Sequence, residues 1–124
     1  MRQLGELEAA VMDRVWSWDR PTSVREVLDD LRRERDLAYT TVMTVMDNLH
    51  RKGVLTRERD GRAYRYLPAA SREEHTAQLM EAALAGAGDR TATLLRLVDR
   101  MDPDEVAALR KALDAATRRK DAKR

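Results

Sequence analysis

The chain has 124 residues, of which 43% are hydrophobic and 37% charged, yet 24 Lys and Arg against 22 Asp and Glu leave a net charge of only +2. That near-balance excludes bulk electrostatic binding by the whole chain, so any contact with a polyanion has to arise from local clustering. There is no Cys, which excludes a disulfide framework, a zinc ribbon and thiol catalysis. No apolar run reaches the roughly 20 residues that span a bilayer, so a cytoplasmic protein without membrane insertion is expected.

Leu4, Leu7, Val11, Val15 and Trp18 recur at spacings of three and four and predict a first helix over residues 4–18. Arg20-Pro21 ends it, because proline disfavours a helical conformation in the residue before it. Ser23-x-x-Glu26 has the form of a capping box. With Val24, Val27, Leu28 and Leu31 it predicts a second helix running to about Arg35. A third is expected over residues 40–52, with Val42, Val45, Met46 and Leu49 on one stripe and Gly53 as its left-handed C-terminal residue.

The period then changes. Residues 54–59 and 62–67 are short strand-like runs separated by Asp60-Gly61, a strong hairpin signal. Tyr64 and Tyr66 alternate with Arg65, as in a ribbon with one packed and one wet face, and Pro68 closes the second strand. Three helices followed by a hairpin is the order of a winged helix-turn-helix. From Ser71 the pattern is helical again. Ser71-x-x-Glu74 caps one helix, Gly86-Ala87-Gly88 breaks it, Leu94 to Met101 mark a second, and Asp102-Pro103-Asp104-Glu105 opens a third. Residues 117–124 read as a basic, frayed tail. The fold expected is mainly α with a small β-hairpin wing, residues 1–70 forming a winged-helix DNA-binding domain and residues 71–124 a helical dimerisation domain. Leu79, Leu84, Leu94, Leu95, Val98, Leu109 and Leu113 are too many apolar positions for that short second segment to hide alone; a second copy of the chain would cover them, the alternative being that they pack onto the winged helix of the same chain.

Charge is distributed unevenly. Residues 1–50 hold seven basic and ten acidic side chains, whereas residues 51–65 hold six basic (Arg51, Lys52, Arg57, Arg59, Arg62, Arg65) and two acidic. The basic excess thus sits at the end of the third helix and on the hairpin, where both elements can straddle a phosphate backbone. At about 100° per residue, the third helix turns Thr40, Met43, Thr44, Asp47 and Arg51 away from its apolar stripe. Small hydroxyl- and methyl-bearing side chains near a helix N-terminus suit close approach to base edges in a major groove. Thr41 lies on the flank, where it can meet phosphate or cap the helix, and for Thr40 a helix cap is the alternative to a base contact.

The run LAYTTVMTVMDNLHRKGVL, the hairpin closing on AYRYLP and the opening LGELEAAVMDRVW resemble the BlaI/MecI/CopY family of bacterial repressors over about residues 2–116. The resemblance implies a winged-helix homodimer that binds dyad operators of double-stranded DNA with TACA/TGTA-like half-sites. Carried over by position, it implies base contacts from Thr40, Thr41, Met43 and Thr44, and phosphate contacts from Arg51, Lys52 and the hairpin cations Arg57, Arg59 and Arg62. Relatives carry basic residues in place of Thr40 and Met43, a departure that bears on half-site preference. The family's release route is cleavage by a membrane metalloprotease sensor on an antibiotic or cell-envelope signal. By position that bond is Arg96-Leu97, where cleaved relatives have Asn-Phe.

Enzyme and metal chemistry find no support. His50 and His75 are the only histidines and lack ligand spacing, and no catalytic triad, phosphate loop or carboxylate pair is present. The copper-sensing branch of the family uses a Cys-rich C-terminus that this chain lacks. No cofactor, metal or catalytic residue is expected. The alternatives are a winged-helix adaptor that binds protein through the basic face, and a regulator released by a small-molecule ligand.

Overall fold

The computed structural model describes residues 3–123. Its elements run α1 (Glu6–Trp18), α2 (Val24–Leu31), α3 (Tyr39–Arg51), β1 (Leu55–Asp60), β2 (Ala63–Pro68), α4 (Arg72–Ala85), α5 (Arg90–Asp99) and α6 (Pro103–Ala122). The mainly helical winged helix-turn-helix with a two-stranded wing is as the sequence predicts. Its core is free of Phe: Val11, Met12 and Val15 of α1, Val27, Leu28 and Leu31 of α2, and Val42, Met46 and Leu49 of α3 are wholly buried, and Leu55 and Tyr66 of the hairpin close it.

Local chemistry explains most boundaries. The Ser23 hydroxyl accepts from the Glu26 N–H and the Glu26 carboxylate accepts from the Ser23 N–H, each at 3.1 Å, so two otherwise orphaned donors start α2 reciprocally. α1 ends at Asp19, which adopts a left-handed conformation (φ 48°) ahead of Arg20-Pro21. α2 stops at Leu31 rather than near Arg35. Residues 32–34 form a turn in which the Arg33 and Glu34 amides donate to Asp30 and Leu31 carbonyls. Arg and Glu favour helix, but continuing it would carry Leu37 away from the core against which it packs. At the other end of that link Ala38 is the N-cap of α3, and no side chain caps the helix. Thr40 and Thr41 therefore lie inside the first turn and neither is the cap.

β1 and β2 pair antiparallel from Leu55 with Pro68 to Asp60 with Ala63. The two-residue turn is Gly61-Arg62, one position later than Asp60-Gly61, and places its positive φ (+64°) on Gly61 alone. That suits a type II′ turn, whose twist matches the strands; Arg62 thus sits at the tip rather than on a strand. Thr22, fully buried in the link between α1 and α2, pairs with Tyr66 through two backbone hydrogen bonds of 2.8 and 3.0 Å. The link is in effect a short third strand along β2.

The chain forms two compact units, Met1–Ala82 and Ala83–Arg124, with the boundary inside α4. α4 begins in the first unit. Its cap is Ser71, whose hydroxyl accepts from the Glu74 N–H at 3.0 Å. The Trp16 indole donates to the Ala70 carbonyl at 3.0 Å, its ring lies 5.4 Å from His75, and Arg72 stacks on it while pairing with Asp13 at 2.8 Å. His75 is 6% exposed, and its Nε2 has no hydrogen-bond partner among the described residues. In the second unit, Asp102 caps α6 with Pro103 in the first turn. α6 is helical to Ala122 and takes in most of the tail expected to fray from Thr117. Arg119 and Lys120 in its last turn oppose the negative end of the helix dipole. Neither α5 nor α6 buries a residue within the chain.

Candidate nucleic-acid interface

α3 turns its apolar stripe inward, with Val42, Met46 and Leu49 buried and Val45 half-buried, which leaves the opposite face to solvent. Thr40, Thr41, Met43 and Thr44 are all exposed there, Met43 at 42%. The uncapped start of the helix leaves its first amides available to an anion. Beside it, Arg25 of α2 lies over the Tyr39 ring at 5.3 Å, which fixes the direction of a cation at that end.

The wing supplies the other wall. Grooves open on either side of Met43. One is lined by Thr44, Asp47, Asn48, Arg51, Arg57 and Tyr64, the other by Arg25, Tyr39, Arg62 and Tyr64. Tyr66 faces the core, whereas Tyr64, two residues earlier on the same side of β2, is 36% exposed and packs edge-on against it at 6.5 Å. Tyr64 carries the guanidinium of Arg57 at 4.0 Å and that of Arg59 at 5.8 Å.

The expected phosphate-contacting cations differ in their freedom. Arg59 and Arg62 are exposed at the wing's end, Arg59 donating to the Gly61 carbonyl at 3.2 Å. Arg51 is exposed but pairs with Asp47 at 3.0 Å, and Lys52 pairs with Glu8 of α1 at 2.7 Å. Arg57 is the most enclosed, donating to Asp47 at 3.1 Å. Its pKa is raised above the ordinary arginine value, first by hydrogen bonding to Tyr66 and then, against the opposing cost of burial, by Asp47. Arg65, outside the expected contacts, pairs with Asp60 at 2.6 Å and with Glu26 at 3.6 Å. Glu26 also pairs with Arg20 at 2.6 Å. The Ser23 amide holds the Glu26 carboxyl below the ordinary value of 4.5, and Arg20 adds to that against desolvation. Glu26 therefore ties the wing to the start of α2.

Sequence reasoning missed Tyr64, Arg25 with Tyr39, and the grip of Asp47 on two arginines. The only available signal was the Arg-Tyr alternation on the hairpin. The remaining expected positions lie elsewhere. Leu79 and Leu84 of α4, Val98 of α5 and Leu109 of α6 are half-buried, while Leu94, Leu95 and Leu113 are exposed. Arg96 and Leu97 are exposed on α5. His50 is half-buried on the last turn of α3. Among the described residues no cluster of His, Cys, Asp or Glu could hold a metal ion, and no helix is long and apolar enough to cross a membrane.

Comparison with known proteins matches residues 4–115 to the penicillinase repressor family. The chain is 49% identical over 116 residues to the transcriptional regulator BlaI of Mycobacterium tuberculosis, in both the CDC 1551 / Oshkosh and H37Rv strains, covering 91% of this chain and 84% of that protein. The solution structure of the DNA-binding domain of the repressor BlaI superposes with a TM-score of 0.52 at 25% identity, over 58% of this chain and 87% of that one. An exposed recognition-type helix beside an arginine-bearing wing and a family match over nearly the whole length converge. The chain belongs to the penicillinase repressor family and is a BlaI-like transcriptional repressor with a DNA-binding winged-helix domain, not an enzyme.

Proposed function

We propose that the protein is a cytoplasmic repressor that binds dyad operators as a homodimer, one winged helix on each TACA/TGTA-like half-site. In this reading residues 1–70 supply the DNA surface and residues 71–124 the dimer surface. The observation that carries it is the outer face of α3, whose short uncharged side chains Thr40, Thr41, Met43 and Thr44 are all exposed next to the cations of the wing. Those four residues read base edges, and Arg51, Lys52, Arg57, Arg59 and Arg62 meet or orient toward phosphate. Dimerisation is supported by α5 and α6, which have no fully buried residue and leave Leu95 and Leu113 61% and 58% exposed. A second copy of the same face is the simplest cover for such a surface.

Release by cleavage at Arg96-Leu97, through a membrane metalloprotease sensor, belongs to the same proposal. Both residues are exposed, and a ten-residue helix without a buried residue opens locally at low cost. The test of the recognition surface is Thr44→Ala in competition binding. Specific affinity is expected to fall by about 1–3 kcal/mol with non-specific binding unchanged. An operator preference identical to that of the wild type would refute the assignment of α3 to the groove.

A further inference from the structure

Among the described residues, Asp47 is the one carboxylate lining the groove between α3 and the wing. It stands on the same face as Met43 and Thr44, one turn further along the helix. Its two oxygens serve different cations: Oδ2 lies 3.0 Å from Arg51, four residues on, and Oδ1 accepts from Arg57 of β1 at 3.1 Å. The two arginines are held unequally. Arg57 has a quarter of its side chain exposed and is stacked on Tyr64 at 4.0 Å, whereas Arg51 has 74% exposed and only the carboxylate to hold it.

A phosphate oxygen offers Arg51 the same fork-to-anion geometry as a carboxylate. Arg51 can therefore leave Asp47 for the backbone of a duplex lodged against α3, while Arg57 cannot turn away without losing its ring. The exchange frees Oδ2 and points an acceptor-only group at the base pairs. In the major groove such a group is complementary to the amino hydrogens of cytosine N4 or adenine N6, and is repelled by guanine O6 and N7 or thymine O4.

We propose that Asp47 is a specificity-determining residue: once Arg51 has passed to a phosphate, its carboxylate selects an amino-bearing base at one position of each half-site and rejects keto-bearing bases there. The inference rests on the operator-binding reading above. It also gives the acid a purpose on a surface otherwise built for a polyanion. A sequence without the amino group there leaves Oδ2 facing acceptors with no donor, while Oδ1 stays with Arg57, so the residue weakens wrong complexes more than right ones.

Asp47→Asn keeps the shape and can donate as well as accept. Binding of the full-length wild type and Asp47→Asn to a library of duplexes randomised over the half-site, read by sequencing of the bound fraction, tests the proposal. The expected result is that a preference of about tenfold or more for cytosine or adenine at one position collapses in Asp47→Asn, with preferences elsewhere kept and non-specific binding strengthened. Arg51→Met serves as the contrasting variant. It should weaken binding to all duplexes alike, lower the salt slope by about one phosphate contact and retain the base preference. A wild-type preference that Asp47→Asn leaves intact at every position overturns the proposal by itself. A wild type without any sequence preference overturns the operator-binding reading, and this one with it.

Discussion

At the scale of single residues, what a sequence can convey depends on whether a side chain's direction is set by its own helix or by a neighbour. Thr40, Thr41, Met43 and Thr44 were legible because helical rotation alone puts them opposite Val42, Met46 and Leu49. Arg57 was not. Its pattern says only that it is a cation on a hairpin, while its direction comes from Asp47, ten residues back, and from Tyr64 across the strand pair. His75 is a second case. The sequence places it on a helix and gives it no partner; contact with Trp16 buries the ring and leaves Nε2 without a hydrogen-bond partner among the described residues. A buried polar atom without a hydrogen bond costs roughly 1–3 kcal/mol. His75→Phe, which keeps an aromatic ring against Trp16, should therefore raise the stability of the winged helix by about 1 kcal/mol. Chemical denaturation checks this, and a destabilised variant would show that the nitrogen is used.

Elements were read well where their signals are local and poorly where tertiary packing decides. The Ser23–Glu26 box gave the start of α2 because both halves of the motif lie within four residues. The end of α2 was over-run because nothing in LRRERD breaks a helix; the constraint is Leu37, which must return to the core. The hairpin was found, but its turn fell one residue late, since both Asp60-Gly61 and Gly61-Arg62 satisfy the local rule and strand register chooses between them. The α2–wing connection through Glu26 carries a pH dependence. Its carboxyl is lowered in the folded state, so the stability it contributes is complete above the unfolded glutamate range, about 4.3, and is lost as pH falls through the folded value. Asp30, lowered chiefly by its hydrogen bond to Arg14, acts with the same sign. Urea midpoints measured across the acid range should fall below about pH 4.5 in the wild type. Glu26→Gln should be less stable near neutrality and show a shallower acid decline, with Asp30 retaining part of the slope. An unchanged decline would remove Glu26 from the account.

For the whole molecule, the two compact units divide within α4, and only the first has a core of fully buried residues. A chain ending at Ala82 keeps Trp16 and His75 together and should fold. In sedimentation it should be monomeric whereas the full chain, on the proposed reading, should sediment as a dimer, and it should bind a whole operator much more weakly, because two untethered winged helices lose the effective concentration that a dimer provides. A dimeric truncation would relocate the dimer surface to the winged helix. The pairing of Thr22 with Tyr66 bears on how that winged helix opens. The wing is hydrogen-bonded to the α1–α2 link on one side and covers the core with Leu55 and Tyr66 on the other. Its base is therefore no loose arm: the amide protons of Thr22 and Tyr66 should share one opening event and exchange with solvent together. Beyond that pairing Glu58 to Tyr64 are all exposed, so the freedom to fit a curved or straight duplex is expected in the outer half of the wing rather than at its base.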